Sequence, residues 1–373
     1  MSSNKQEYIP KIKTPKEVIN NAIDIIKAEA SGEQLGLKTR YFKLNIALGK
    51  YFRFRQVYAI AGLSGHGKST LLNAFIQDFL NPELNLGKCK YPYILAHHCF
   101  EMSPEDEELR KASAKLRVSY NYLLSSEFSN TSGEFNILKK DEIEKVKEVL
   151  QQDIDKPLYY FDEPCELPQI GINIQYAIMD FKQKLFQDTQ RLAQYLKHYI
   201  IASNGRINLE VSNITKWEDI PSPKVVLLID HTLLLKQAKE EYDILQTMRN
   251  LSKTSIMLKK KGYMVFFVGQ FNNNIEKAER IKNPEMQYPI KSDIYAQGEI
   301  YNACDGVFTI HQPELMGILY YGKNQYKTDG LVQLQALKMR FGNVGTIWLK
   351  NNLEKGVFTN YPSEMLKSRG EDI

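Results

Sequence analysis

The chain has 373 residues, of which 43% are hydrophobic, so it is long enough to bury the core of one large domain or of two. Its 49 basic and 44 acidic side chains leave a net charge of +5, which permits a nucleic-acid partner without requiring one. Four cysteines without Cys-x-x-Cys spacing argue for free thiols in a reducing compartment. The N-terminus lacks an apolar signal core and no apolar run approaches the ~20 residues of a membrane span, so we expect a cytoplasmic protein that makes no membrane contact.

The first predicted element is a helix that follows a polar tail. Thr14 is a candidate N-cap, with Pro15 at the first helical position and Glu17 three residues after the cap, and Gly32 can end the helix. Its apolar side chains recur at i, i+3, i+4 and i+7 and form one stripe, which consists of Ile19, Ala22, Ile23 and Ile26. This stripe either packs on its own domain or docks on a neighbouring subunit.

Apolar runs that alternate with helical patterns follow along the chain. The runs typical of buried strands are "QVYAIA", "YPYILAHHCF", "KPLYYF", "KVVLLID" and "GYMVFFVGQ". Their alternation with helices favours a mostly parallel sheet with crossover helices. A polar and largely helical stretch lies between Asp162 and Pro223. Beyond Gly330 the segment "LVQLQALKMRFGNVGTIWLKNN" predicts an antiparallel hairpin region at one end of the sheet.

The stretch "AIAGLSGHGKST" fits the phosphate-binding pattern G-x-x-x-x-G-K-[ST] between a predicted strand and a predicted helix. Glycines let successive N–H groups approach a polyphosphate, Lys68 supplies a point charge and Ser69 a hydroxyl for Mg²⁺. The alternative is a glycine turn that only joins a strand to a helix. We predict that ATP is bound by Gly62, Ser64, Gly65, His66, Gly67, Lys68, Ser69 and Thr70.

Hydrolysis also requires a metal carboxylate, a base and a γ-phosphate sensor, which should follow parallel strands beside the loop. Asp230 ends "KVVLLID" and can hold Mg²⁺, although strands commonly end in Asp. Glu101 follows an apolar strand and can accept a proton from water, but it also suits an ordinary helix N-terminus. Gln270 ends "GYMVFFVGQ" as a sensor or only as a turn former.

Together these segments resemble the helicase domain of the DnaB-type replicative hexameric helicases, within the RecA-like ATPases. The phosphate loop, "CFEMSPEDEELR", "VVLLIDHTLLL", the sensor strand, "KSDIYAQGEIYNACDGVFTIHQP" and "LQALKMRFGNVGTIWL" follow in that family's order. The resemblance implies an α/β, RecA-like P-loop NTPase core with a mostly parallel sheet, an N-terminal linker helix and a C-terminal β-hairpin region. We expect a tail and linker helix over residues 1–32 and the helicase ATPase domain over 33–373.

The resemblance also implies roles for the candidate site residues. Glu101 corresponds to the catalytic base, Asp230 to the Mg²⁺ carboxylate and Gln270 to the γ-phosphate sensor. Lys338 and Arg340 resemble the basic pair that enters the neighbouring subunit's nucleotide site. Because they alternate along a strand, their side chains should face one way. The alternative for this pair is a surface feature of a basic hairpin.

The resemblance also implies contacts with single-stranded DNA, made by the loops that line the central channel in that family. The residues that could hold phosphates through amide and ammonium groups are Asn272, Asn273, Asn274, Lys291, Tyr295 and Gln297. The family's usual arginine after the "SDL" element is replaced by Tyr295 and Ala296.

The family's N-terminal collar domain has no counterpart before the linker helix, which indicates a minimal, phage-like form or contacts supplied by another chain.

The sequence thus predicts an ATP- and Mg²⁺-dependent hexameric DNA helicase that translocates on single-stranded DNA, 5′ to 3′ if it follows the family. Primase or a helicase loader are the expected partners besides DNA and copies of the same chain. Two alternatives remain open. One is a RecA-like DNA-binding ATPase of the recombination or loader type that does not unwind, and the other is a regulatory ATPase that binds no nucleic acid.

Overall fold

The computed structural model of the chain describes residues 13–203, 209–239, 241, 243–352 and 355–361. The helices are α1 (Pro15–Ala30), α2 (Phe42–Ala47), α3 (Lys68–Phe79), α4 (Pro104–Leu116), α5 (Tyr120–Leu123), α6 (Lys140–Gln151), α7 (Leu167–Gln187), α8 (Thr189–Ala202), α9 (Ile244–Lys260), α10 (Ala278–Lys282) and α11 (Gln297–Ala303). The strands are β1 (Gly36–Leu37), β2 (Phe52–Arg53), β3 (Val57–Gly62), β4 (Tyr93–Cys99), β5 (Phe128–Ser129), β6 (Glu134–Phe135), β7 (Leu158–Phe161), β8 (Lys224–Asp230), β9 (Met264–Gln270), β10 (Gly306–His311), β11 (Tyr320–Tyr321), β12 (Tyr326–Lys327), β13 (Leu331–Met339), β14 (Gly345–Asn352) and β15 (Val357–Asn360).

Within the described residues, nine strands form the central sheet in the order β15-β14-β13-β10-β3-β9-β8-β4-β7. The strands from β10 to β7 pair in parallel, whereas β13, β14 and β15 are added in antiparallel pairs at one side. All five predicted strand runs lie in the parallel part, and the hairpin predicted beyond Gly330 is β13 with β14. The predicted α/β fold with a mostly parallel sheet and a C-terminal hairpin region is confirmed.

Helices cover both faces of this sheet, because its strands carry apolar side chains on both sides. Along β3, Tyr58 and Ile60 belong to a buried cluster that includes Leu71 and Phe75 of α3. The alternate residues of β3 belong to a second cluster with side chains of α7, α9 and α11. Near-continuous apolar runs are what a parallel sheet buried on both faces requires. Because helices cover both faces, the edge of the sheet formed by the carboxyl ends of the strands stays open to solvent.

Helix α1 begins and ends as predicted. The Thr14 hydroxyl accepts a hydrogen bond from the Glu17 N–H at 3.3 Å, and the Glu17 carboxylate accepts one from the Thr14 N–H at 2.9 Å. The stripe, however, lies in solvent, since Ile19, Ile23 and Ile26 are 56%, 42% and 67% exposed. The interpretation in which this stripe packs on its own domain is wrong for the described chain. The polar tail, residues 1–12, lies outside the described residues.

Two connections add structure outside the core. Between Asp162 and Pro223, α7 and α8 are separated at Asp188, whose carboxylate caps α8. Between β4 and β7, helices α4 to α6 and the short β5–β6 hairpin form an excursion that the strand pattern did not predict.

Among the described residues, no helix combines the length and the hydrophobicity that a membrane span requires.

Candidate functional site

The predicted phosphate loop lies between β3 and α3, at the carboxyl edge of the sheet. Gly65 and Gly67 have φ values of 76° and 86°, in the left-handed region that favours glycine. A Cβ on Gly62 would lie 2.6 Å from the carbonyl oxygen of Ile310, so this position also needs glycine. Helix α3 begins at Lys68, which turns its unpaired N–H groups and positive dipole end toward the loop. The backbone therefore forms a concave anion site.

The Lys68 ammonium lies inside this loop. It donates a hydrogen bond to the carbonyl oxygen of Leu63 at 2.9 Å, and the residue is only 7% exposed. Burial lowers the pKa of Lys68, while the nearby carboxylates of Asp230 and Glu101 raise it. A cation held between a phosphate-binding loop and two carboxylates is placed to contact a nucleotide's phosphates.

Asp230, at the end of β8, has the surroundings of a metal carboxylate. It is 3% exposed, and the Ser69 hydroxyl donates a hydrogen bond to it. Burial is the main cause that raises the pKa of Asp230 to about 7, and the carboxylates of Glu107 and Glu101 add to the rise. Its Oδ1 has no hydrogen-bond partner among the described residues. A buried, unpaired carboxylate oxygen beside a hydroxyl fits the oxygen donors that Mg²⁺ prefers.

Glu101 lies two residues beyond β4 and is exposed at the open edge. The strand end is fixed next to β8, because the Phe100 N–H donates to the carbonyl oxygen of Asp230 at 2.6 Å. Glu101 lines a cleft of about 440 Å³ together with the phosphate loop, and Arg110 and Tyr120 lie in the same lining. The phosphate loop and the candidate base thus line one cleft, and the candidate metal carboxylate, Asp230, is buried beside Ser69 of that cleft.

Gln270 reaches the same edge through the strand next to β3. It pairs with Gly62 in the parallel register, and its side chain is partly exposed. Its carbonyl oxygen accepts a hydrogen bond from the Tyr295 N–H at 2.9 Å, and Phe271 forms a bridge with Ile294. The predicted sensor is therefore joined by backbone contacts to the segment in which the DNA-contact residues were predicted.

The residues predicted to contact DNA differ in whether their side chains already make hydrogen bonds within the chain. Asn272 uses its amide within the loop, donating to the carbonyl oxygen of Ser292 at 2.7 Å and accepting from the Asn274 N–H at 3.0 Å. Asn273 and Lys291 are exposed, and the Lys291 ammonium lies 4.8 Å from the ring centre of Tyr301. Tyr295 is partly exposed, and the side chain of Gln297 lies outside the described part of the chain.

Lys338 and Arg340 lie away from the cleft, near the amino end of β10. Both contact the carbonyl oxygen of Asn302, at 3.5 and 3.2 Å, so their charged groups lie together. The prediction that they alternate along one strand is wrong for Arg340, which lies one residue beyond the end of β13. The Arg340 guanidinium also pairs with the Asp305 carboxylate at 3.2 Å. Asp305 donates its N–H to the carbonyl oxygen of Val57, which begins the strand that ends at the phosphate loop. This strand separates the pair from the loop by about 16 Å.

Two contacts at the site were not predicted. The His66 imidazole accepts a hydrogen bond from the Gln312 N–H at 2.9 Å, and burial with the nearby Lys68 charge lowers its pKa to about 4. The Asn73 amide, on α3, donates to the buried carboxylate of Glu107 on α4. Both pairs join residues far apart in the sequence. The only sequence signal for the second pair is Asn73, a polar residue between Leu72 and Ala74 of α3, and no signal indicates the first pair.

Comparisons with known proteins identify the fold. A solved helicase ATPase domain is similar with a TM-score of 0.64 and 15% identity, over 94% of this chain and 100% of that one. A DnaB-like replicative helicase, described with its interactions with primase, has a TM-score of 0.62 and 14% identity over 95% of this chain and 68% of that one. No protein-family model and no curated protein matches the chain. The chain thus has the RecA-like fold of DnaB-like helicase ATPase domains, which confirms the resemblance at the level of fold.

Proposed function

We propose that this chain is an ATP-dependent DNA helicase whose nucleotide site is completed by a second copy of the chain. The observation that carries this proposal is the distribution of candidate groups over two edges. Lys68 and Glu101 line one cleft, and Asp230 is buried beside Ser69 of the same cleft. Lys338 and Arg340 lie at the other end of the strands. A subunit with this arrangement can bring its basic pair only to a neighbour's nucleotide.

Within one subunit, the cleft supports nucleotide binding and water activation. The loop N–H groups and Lys68 bind the phosphates, and Ser69 and Asp230 hold Mg²⁺, which neutralises charge on the phosphate oxygens when it is bound. Glu101 accepts the proton of the attacking water. Gln270, next to Gly62, reports the state of the γ-phosphate to the segment from Asn272 onward.

The neighbouring subunit supplies the remaining charge. Arg340 keeps 47% of its side chain exposed, so its guanidinium is available to a partner despite the contact with Asp305. An arginine provided in trans stabilises the charge that develops on the transferred phosphoryl group, so hydrolysis depends on assembly. Head-to-tail contacts of this kind close into rings, and we propose a hexamer.

Helix α1 is the proposed clasp between subunits. Its exposed isoleucines form an apolar stripe that the described part of its own domain leaves uncovered. Docking of this stripe on the adjacent copy would bury apolar surface and link neighbours around the ring. Residues 1–32 would then act as a connecting arm and residues 33–373 as the motor domain.

The DNA contacts would lie on the segments joined to Gln270. Asn273 and Lys291 offer an amide and an ammonium to phosphates in a way that does not depend on sequence. Translocation from 5′ to 3′ during replication, and partnership with primase or a loader, follow the similarity to DnaB-like helicases. A motor of this kind would work in the cytoplasm of a bacterium or of a phage-infected cell, where ATP and DNA are both present.

The test is ATP hydrolysis by the purified chain with and without single-stranded DNA, with particle mass recorded in the same sample. Stimulation by DNA in a hexamer-sized particle, followed by unwinding of a forked duplex, is the expected result. Stimulated hydrolysis without unwinding would favour a RecA-like DNA-binding ATPase. Hydrolysis by a monomer that is indifferent to DNA would contradict the helicase proposal.

A further inference from the structure

Asn73, which lines the cleft, forms a buried polar pair with Glu107. Asn73 follows Ser69 by one helical turn, so both side chains project from the same face of α3. Asn73 is 5% exposed and lines the cleft, and Glu107, on α4, is 1% exposed. The Asn73 amide donates through Nδ2 to the Glu107 carboxylate. The pair therefore joins α4 to the part of α3 that carries Ser69 and lines the cleft.

Glu107 brings a second buried carboxylate close to Asp230. Among the described residues, no Lys, Arg or His lies within ion-pair distance of it, and Lys111 on the same helix is paired with Glu108 at 3.0 Å. Burial raises the pKa of Glu107, and the hydrogen bond from the Asn73 amide lowers it. The Asn73 NH₂ group is therefore held by a buried carboxylate that has no ion pair in the described part of the chain.

Two acceptor oxygens at this place have no partner in the described chain. They are Oδ1 of Asn73 and Oδ1 of Asp230, and both are buried. A buried acceptor that stays unpaired costs about 1–3 kcal/mol, so such atoms usually have a water or ion partner. Magnesium keeps several of its waters when it binds to proteins, and those waters need acceptors. Asn73, one helical turn after Ser69, and Asp230, which accepts a hydrogen bond from Ser69, supply such acceptors.

We propose that Asn73 is an outer-sphere ligand of the hydrated magnesium ion of the nucleotide, and that Glu107 is its positioning residue. By taking the Asn73 NH₂ group, Glu107 leaves the amide oxygen as the group that faces the ion's water shell. This inference rests on the proposed function and deepens it, because it names two further residues for the same site. A role limited to joining α3 with α4 is the competing explanation.

The test measures how much magnesium strengthens nucleotide binding, with no turnover involved. A fluorescent ADP analogue is titrated into the full chain in Mg²⁺ and in EDTA, and the ratio of the two dissociation constants is compared between variants. Loss of an outer-shell partner typically costs about 10–100-fold in metal affinity. We therefore expect Asn73→Leu to reduce the ratio by about that factor while the affinity in EDTA stays near the wild-type value.

Glu107→Gln and Glu105→Gln complete the set. Glu107→Gln keeps a hydrogen-bond acceptor for Asn73 but removes the negative charge, so it should lower the Mg²⁺/EDTA ratio less than Asn73→Leu. Because it keeps that hydrogen bond, this variant is expected to fold and provides a second test of the inference. Glu105→Gln is the matched control, because Glu105 is exposed in the first turn of the same helix. It should leave the ratio unchanged.

The results separate this inference from the proposed function. An unchanged ratio in both Asn73→Leu and Glu107→Gln, or an equal loss of affinity with and without Mg²⁺, would overturn the outer-sphere role and leave the nucleotide site standing. A wild-type chain that binds no nucleotide would overturn the proposed function itself. Thermal unfolding without nucleotide shows whether each variant is folded.

Discussion

Arg340 contacts Asp305 at the amino end of the strand that lies next to the phosphate-loop strand, and the nucleotide cleft opens at the other end. The 3.2 Å ion pair with Asp305 holds the Arg340 guanidinium at this end of the strand, while nearly half of the Arg340 side chain stays exposed. Lys338 lies beside it and donates to the carbonyl oxygen of Tyr301 at 2.5 Å. This relationship is the structural basis of the proposal that two copies of the chain share one nucleotide site.

Arg340→Ala should keep nucleotide binding and lose hydrolysis. Binding groups lie in the subunit's own cleft, whereas an arginine in trans contributes about a thousandfold to phosphoryl transfer. Nucleotide affinity and steady-state hydrolysis are measured on the same preparation. Arg191→Ala is the control, because Arg191 forms an exposed pair with Asp155. Normal turnover in Arg340→Ala would remove this residue from the mechanism.

Helix α1 should determine assembly without determining the fold of the domain. The double variant Ile19→Ser with Ile26→Ser places hydroxyls on the exposed stripe, so it should yield a folded, nucleotide-binding monomer, as should deletion of the residues before Gly32. Particle mass by light scattering is the measurement, and Asn20→Ser, on the same helix, is the control. A ring that survives both changes would show that α1 is not the clasp.

The parts that the sequence predicted correctly depend on local signals. Thr14 and Glu17 form their capping box within four residues, and the apolar runs that end at Gly62, Asp230 and Gln270 needed only their own hydrophobicity to be identified as strands. Because parallel strands bring their carboxyl ends to one edge, the meeting of Glu101 with these residues could also be expected.

Other features depend on the tertiary fold, which a single sequence does not display. Asn73 and Glu107 are 34 residues apart, and nothing in either helix alone indicates that they meet. The position of β10 between β3 and β13 sets the contact of Arg340 with Asp305, and this strand order cannot be read from chain order. The exposed hairpin with Phe128 and Phe135 likewise lacks the apolar alternation that identified longer strands.

Lys291→Ala should weaken binding of single-stranded DNA by a similar factor for all sequences. An ammonium that neutralises one phosphate contributes through counterion release, so the slope of log affinity against log salt should fall by about 0.7. Fluorescence anisotropy with a labelled oligonucleotide at several salt concentrations measures it. Lys253→Ala, on the exposed side of α9, should change nothing. An unchanged slope in Lys291→Ala would place DNA elsewhere.

The buried His311 side chain should make the free energy of unfolding depend on pH. It is fully buried, both ring nitrogens lack partners in the described chain, and burial lowers its pKa to about 3. The unfolded chain binds this proton at an ordinary pKa near 6.5, so stability is complete above about pH 6.5 and falls as the pH drops toward 3.

For this one group the loss at pH 5 is on the order of 2 kcal/mol. His311→Phe keeps a ring among His66 and Tyr321 and removes the titration, so its unfolding free energy should fall less between pH 7.5 and pH 5. Denaturant unfolding at the two pH values is the measurement. Equal losses in both proteins would contradict the assignment of acid sensitivity to His311.

The shared nucleotide site is tested most directly by mixing two inactive variants. Glu101→Gln lacks the base and Arg340→Ala lacks the group supplied in trans, so each pure ring should be inactive. In an equal mixture that exchanges subunits, about a quarter of the interfaces combine an intact Glu101 with an intact Arg340, because each interface joins different surfaces of two copies. Recovery of about a quarter of the wild-type ATP hydrolysis is the expected result. No recovery in mixed rings of confirmed composition would contradict a site built by two subunits.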